Sequence, residues 1–282
     1  MAIELEGGCR VTDMCEGDPT VDGMLRVRNQ IGRATGAQAI SLRVLEISPG
    51  WPARLRNGAC DEILYLVGPW EREECWERGL PYVRKRQSGE GIELTWIFID
   101  SRRYEVGADT GIYIRPHETL VVIPRGPEPI VIVSVRCPEP ESEPEQDLDL
   151  NSALIPISDS PPPAERPPLV RLADRPAQPT ADRWYCVLVD DEVGSTQATQ
   201  FVGSIPPGRA PDHFHQYEEV LFILKGQGRM WAGETHTPIA AGSCIYLPKG
   251  QVHCVENTGT DELRLLGVFY PAGSPSVRYE TR

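Results

Sequence analysis

Apolar residues in this chain come in short runs that stop at glycine or proline. Val220-Leu-Phe-Ile-Leu224 is closed by Lys225-Gly-Gln-Gly228, and Ser243-Cys-Ile-Tyr-Leu247 by Pro248-Lys-Gly250. Val252-His-Cys-Val255 follows at once, and Glu262 to Tyr270 is a further β-branched and aromatic run. Runs this short, bounded by turn formers, predict strands rather than helices. Proline presets φ in such turns and glycine accepts the conformations other residues avoid. Many such strands at close spacing predict an all-β sandwich or barrel.

The pattern occurs twice. Ser48-Pro-Gly50 parallels Pro206-Pro207-Gly208, and Asp61 to Gly68 parallels Glu218 to Gly226. His117-Glu-Thr-Leu-Val-Val-Ile-Pro-Arg-Gly126 parallels Ala241 to Gly250. Two copies of one pattern predict two like barrels. Between them, residues 138–180 alternate Glu with Pro and then carry Pro161-Pro-Pro163 and Pro167-Pro168. That composition predicts an extended or disordered linker. A few apolar residues in it, Leu169 and Val170 among them, are able to dock on a barrel. The expected division is a first barrel at 20–137, a linker at 138–180 and a second barrel at 181–275. Within the first, Trp70 to Gln87 is an insertion expected to cap a pocket, fill an interface or loop over the surface.

The chemistry concentrates in the second copy. His213-Phe-His215-Gln-Tyr-Glu-Glu219 is answered 34 residues later by His253, so three of the five histidines fall in one pattern. Residues two apart on a strand share a face, which places His213 and His215 together. Three imidazoles and a carboxylate form a ligand set for a mononuclear transition-metal centre. Alternation turns Glu218 away from Glu219, toward a solvated or salt-bridged role. Arg209 and Tyr217 share the parity of the histidines. On an extended segment, Arg209 would meet a substrate carboxylate at the barrel mouth, and Tyr217 would either line the cavity or pack in the core. Glu219, Arg209 and Tyr217 are thus the candidate catalytic residues. His117, His236 and Cys254 are expected to be structural.

The spacings add a resemblance. Three residues separate His215 from Glu219 and six separate Glu219 from Gly226. Gly242, Pro248, Gly250, His253 and Asn257 follow in a second fixed pattern. These stretches resemble the two motifs of the cupin superfamily. Only the leading glycine of the first motif departs, with Pro207 in its place and Gly208 one residue later. The resemblance covers residues 200–270. It implies a double-stranded β-helix (jelly-roll) barrel whose metal is held by His213, His215, Glu219 and His253. With the internal repeat, the whole resembles a bicupin. The first copy retains only Glu62 of the four ligands. Arg56 and Gly58 stand for the first two histidines, and Pro129 for the third. One carboxylate does not hold a transition metal, so this barrel is expected to be metal-free and to pack against its neighbour.

Charge and cysteine content limit the function classes. The net charge of −13 argues against nucleic acid and anionic membranes. Six acids within residues 138–149 supply nearly half of it. No apolar run has the length to span a bilayer, and the first residues lack a basic and apolar leader. A cytoplasmic location with reduced thiols is therefore expected for the eight cysteines, none of which forms a C-x-x-C pair. The implied cofactor is one divalent ion (Fe, Mn, Ni, Zn or Cu), and the implied partner is a small-molecule substrate, with room left for a homodimer. The family's ligand set serves dioxygenases, decarboxylases, isomerases and lyases. The resemblance implies a metal-dependent enzyme, with an oxygenase placed first. A non-redox isomerase, lyase or decarboxylase is the alternative, and a non-catalytic ligand-binding bicupin is another.

Overall fold

A computed structural model describes residues 1–50, 52–70, 94–100, 102–141, 168–180 and 182–276. The described chain is nearly all-β, with strands in four antiparallel sheets. The seven-stranded sheet runs Leu169–Arg171, Thr110–Ile114, Asp61–Pro69, Ile130–Cys137, Ser41–Ile47, Leu25–Ile31 and Thr20–Asp22. A four-stranded sheet built from Ala53–Arg56, Thr119–Pro124, Thr95–Ile99 and Arg102–Val106 completes the first barrel. The second barrel repeats the plan. Its larger sheet centres on Ser243–Leu247, Glu218–Lys225, Leu263–Tyr270, Thr199–Ile205 and Arg183–Val189. Its smaller sheet joins Gly208–Arg209, His253–Asn257, Gln227–Ala232 and Thr235–Ala240. The all-β, two-barrel jelly-roll reading holds.

The expected linker is not all linker. Residues 142–167 lie outside the described residues, but Leu169–Arg171 pairs with Thr110–Ile114 of the first barrel. Gln178–Thr180 then pairs with Arg183–Val189 of the second. The first residues cross over as well: Arg10–Asp13 pairs with Ser243–Leu247 and Ile3–Glu4 pairs with Arg10–Asp13. Residues 3–4 and 10–13 therefore belong to the large sheet of the second barrel. Three- and four-residue edge strands carry too little periodicity to be read from sequence.

The repeat also sits in a different register. Thr110–Ile114 pairs with Asp61–Pro69 as Ser243–Leu247 pairs with Glu218–Lys225, with Ile114 opposite Glu62 and Leu247 opposite Glu219. The copy of Gly242 to Gly250 is thus Asp109 to His117, not His117 to Gly126. Asp109 and His117 have φ of 61° and 67°, where Gly242 and Gly250 have 94° and 80°. Both copies have positive φ at these two turn positions, although the first has no glycine there. Arg56 pairs with Thr119, as His213 bridges His253, so Thr119 rather than Pro129 holds the third ligand position. His117 is a turn residue, in line with its structural reading.

Each large sheet is apolar on both faces. Leu45, Leu64, Leu66, Ile130 and Ile132 fill the first barrel, and Leu221, Ile223, Leu265 and Phe269 fill the second. The opposite faces meet between the barrels, where Leu42, Tyr65, Val131, Val133 and Val135 pack in one buried cluster with Val220, Phe222, Leu266 and Val268. Trp70, where the insertion starts, lies edge-on to Phe222 at 6.1 Å; the rest of the insertion, 71–93, is outside the described residues. Glu218 faces this layer and is buried. Its carboxylate accepts from the Gln38 and Ala39 backbone N–H groups, both at 2.8 Å, and from the Tyr246 hydroxyl. It is a cross-barrel clamp, not a solvated or salt-bridged side chain. Gly111 allows the close approach, since a Cβ there would stand 2.9 Å from Leu188 of the other barrel.

Two outcomes follow for stability. Phe222→Ala should cost about 3–5 kcal/mol in chemical denaturation. A fragment of residues 181–282 should self-associate in light scattering, because it uncovers the Phe222 face and loses the strands of residues 1–13. A monomeric fragment as stable as the full chain would contradict the shared core. The described cysteines are free thiols, and burial pushes Cys9 up to about 12 and Cys60 up to about 11. A thiol whose folded value is raised stabilises the fold below its ordinary value of about 8.5. That contribution is lost as pH rises through the folded value. Thermal unfolding midpoints should therefore fall between about pH 9 and 12; a flat profile over that window would refute the assignment.

Candidate metal centre

The site is assembled by a backbone bridge between two ligand segments. The His253 N–H donates to the His213 carbonyl at 2.8 Å and the His213 N–H returns to the His253 carbonyl at 3.1 Å. The Gly250 N–H donates to the His215 carbonyl at 2.8 Å, so the Pro248–Gly250 turn anchors the third segment. The ring centroids lie 4.5 Å (His213–His253), 4.9 Å (His213–His215) and 5.4 Å (His215–His253) apart. Their ligand nitrogens all fall within 4.8 Å of one another. Glu219 enters from the neighbouring large sheet. Its Oε2 is 3.7 Å from His215 Nε2 and 3.6 Å from His253 Nε2.

Hydrogen bonds set the tautomers. His253 Nδ1 lies 2.8 Å from the Gln251 carbonyl and His213 Nδ1 lies 3.1 Å from the Pro211 carbonyl. A carbonyl only accepts, so each Nδ1 carries the proton and each Nε2 turns its lone pair to the site. Burial pushes the Glu219 carboxyl up to about 8 and the His253 imidazole down to about 3. Glu219 Oε2 is buried with no hydrogen-bond donor. A buried carboxylate oxygen with no hydrogen-bond partner among the described residues, beside the lone pair of the His253 imidazole, is an arrangement a divalent cation satisfies. The residues fit the group. His213, His215, His253 and Glu219 could hold one ion.

The other candidates fall elsewhere. Arg209 is half-exposed and does not line the cavity. Its guanidinium sits 4.1 Å over the Trp231 ring, 3.0 Å from Asp212 and 3.3 Å from Cys254 Sγ. Arg209 pairs across the sheet with Glu256, which places it on the outer face. Ala210 lines the cavity instead, because the chain around Pro211 is not the continuous extended segment that parity counting assumes. Tyr217 is buried behind His215. Their rings stack at 4.9 Å and 11°, and its hydroxyl donates to the Ser274 carbonyl at 3.2 Å. It supports a ligand rather than lining the cavity. Cys254 faces away from the site, and burial pushes its thiol up to about 11. His236 lies against Trp231 at 4.1 Å.

A cavity of about 100 Å³ opens beside the ligands. Its walls are largely apolar, from Phe201, Ile205, Leu221, Val255, Leu265 and Phe269. Arg183 also lines it. Sequence reading missed this residue because it stands at the end of the proline-rich segment, outside any motif. Its spacing to Tyr185 and Val187 was the one available signal.

In the first barrel the equivalent carboxylate is differently served. Glu62 Oε1 accepts from Arg43 at 2.7 Å and from the Ser134 hydroxyl at 2.6 Å, all three buried. A guanidinium occupies the role that a metal would have. Among the described residues the only histidine group able to hold a metal is that of the second barrel.

Comparison with known proteins agrees with this geometry. Residues 201–269 match the cupin domain family. Auxin-binding protein 1 of Arabidopsis thaliana is 39% identical over 73 residues, 23% of this chain and 37% of that one. The oxalate-binding protein of Thermotoga maritima is 36% identical over 67 residues, 23% of this chain and 55% of that one. The matches thus span about a third to a half of these relatives. The structure of oxalate decarboxylase from Bacillus subtilis superposes with a TM-score of 0.68 at 13% identity, covering 94% of this chain and 77% of that one. Residues 201–269 thus carry a cupin domain, and the chain as a whole has the fold of two-barrel cupin structures.

The purified protein should carry about one transition-metal ion per chain by elemental analysis. His213→Ala and His253→Ala should each remove it, whereas His117→Ala should leave it in place. Two tightly bound ions, or none after metal-replete expression, would refute the assignment.

Proposed function

We propose that the second barrel is a metal-dependent enzyme acting on a small organic acid, with oxygen-dependent oxidation as its reaction class. The observation that carries this is the apolar cavity beside the four ligands. Its volume of about 100 Å³ suits a small molecule. When bound, a divalent redox ion supplies a Lewis-acidic centre with open positions for substrate oxygens and dioxygen. The protein's own part is positioning. Gln251 and Pro211 hold two imidazoles in one tautomer, Tyr217 backs the third, and the apolar walls keep bulk water from the reacting atoms.

The acid-base inventory supports this class over decarboxylation. Replacing a departing carboxyl group with hydrogen requires a proton donor. Among the described residues that line the cavity, Glu219 is the only carboxylate and it is a ligand. Decarboxylation remains the second reading, favoured by the fold match to an oxalate decarboxylase and the local identity to an oxalate-binding protein. The same relatives, with the auxin-binding protein, keep a binding role without turnover as a third.

Metal-loaded protein assayed with small carboxylic acids separates these readings. Oxidation predicts dioxygen uptake stoichiometric with substrate loss, abolished in His253→Ala. Carbon dioxide release without stoichiometric oxygen uptake would replace it with decarboxylation. Saturable binding with neither would leave the binding role.

A further inference from the structure

Arg183 lies outside the stretch matched to the cupin domain and has no part in holding the metal. It nevertheless faces the same cavity. On the strand Arg183–Val189, Tyr185 and Val187 pack with the interior of the second barrel, while Trp184 packs against the layer between barrels and also borders the cavity. Alternation therefore turns Arg183 inward with Tyr185, and both line the cavity with His213, His215, His253 and Glu219. Arg183 is the only permanently charged cation among the described residues of that wall.

Its present partner is weak. Arg183 Nε lies 3.0 Å from Asp182, whose side chain is 65% exposed against 12% for Arg183. Ion pairs with an exposed member contribute little and exchange readily. A guanidinium held at the edge of an apolar cavity, with donors in a fixed fork, is suited to a carboxylate arriving from solvent.

Charge balance points to what arrives. Three neutral imidazoles and one carboxylate leave a bound divalent ion with one net positive charge. Arg183 adds a second when the arriving group displaces its exposed partner Asp182. In an apolar cavity an unbalanced charge is costly, and a dianion balances both. We propose that the cavity selects a small dianion, one anionic group directed to the metal ligands and the other held by Arg183. The proposal rests on the metal reading given under Proposed function. The rest of the chain, at −13, repels such a molecule, so the selection must be local to this cavity.

The test uses the full chain loaded with manganese, titrated calorimetrically with malonate and with acetate, alongside metal analysis of every sample. Wild type should bind malonate at least tenfold more tightly than acetate. Arg183→Gln should lose tenfold or more for malonate, change little for acetate and retain about one ion per chain. Arg183→Lys should recover part of the loss, since it restores charge without the fork. Unchanged malonate affinity in a metal-loaded Arg183→Gln chain would overturn the proposal and leave the metal reading intact. So would a metal-loaded wild type that binds neither acid or prefers acetate. A wild-type chain that takes up no metal would overturn both.

Discussion

The structure depends on one constraint: both large sheets are apolar on both faces. Filling a barrel satisfies one face. The other, carrying Tyr65 and Val133 on one side and Phe222 and Val268 on the other, has only the neighbouring sheet to cover it. Each of these side chains contributes roughly 1.5–3 kcal/mol by leaving water. This explains why a barrel without metal ligands retains its strands and turns. Its residues are held by packing, a requirement independent of any metal site.

Two adjacent carboxylates show how strand geometry divides labour. Glu218 and Glu219 differ by one position and so point to opposite faces. Glu218 closes the layer between barrels through two backbone N–H groups and Tyr246. Glu219 enters the barrel and meets His215 and His253. A one-residue register slip would exchange them, placing a carboxylate without ligands in the interface and a clamp in the metal site. The two interactions therefore fix each other's register, and packing between barrels is part of what positions the metal ligands.

What could be read from sequence was what local chemistry determines. The histidine pattern, the Gly/Pro turns and the repeat were visible because ligand type and turn conformation are properties of short segments. Three things were hidden because they depend on longer paths. The second repeat motif was set on Pro124-Arg-Gly126, since glycine marks a turn in sequence, whereas the true turn has His117 at positive φ. Arg209 was placed at the mouth by counting parity through Pro211, where alternation does not persist. The strands of residues 1–13 and 168–180 exist because a sheet edge elsewhere receives them, and nothing within such segments records the edge.

The paired barrels supply an internal comparison for the metal reading. Glu62 and Glu219 occupy the same place in the two copies, and both are buried. A carboxylate in that environment needs positive charge or donors beside it. In the first barrel Arg43 and Ser134 provide them within 2.7 Å of Glu62 Oε1. In the second, Glu219 Oε2 has no hydrogen-bond partner among the described residues, and it lies 3.6 Å from His253 Nε2, whose lone pair faces the site. The His253 imidazole, protonated on Nδ1, does not do what the guanidinium does, whereas a cation between it and the carboxylate would. Where the first barrel carries its cation on a side chain, the second has a ligand group that fits a bound one.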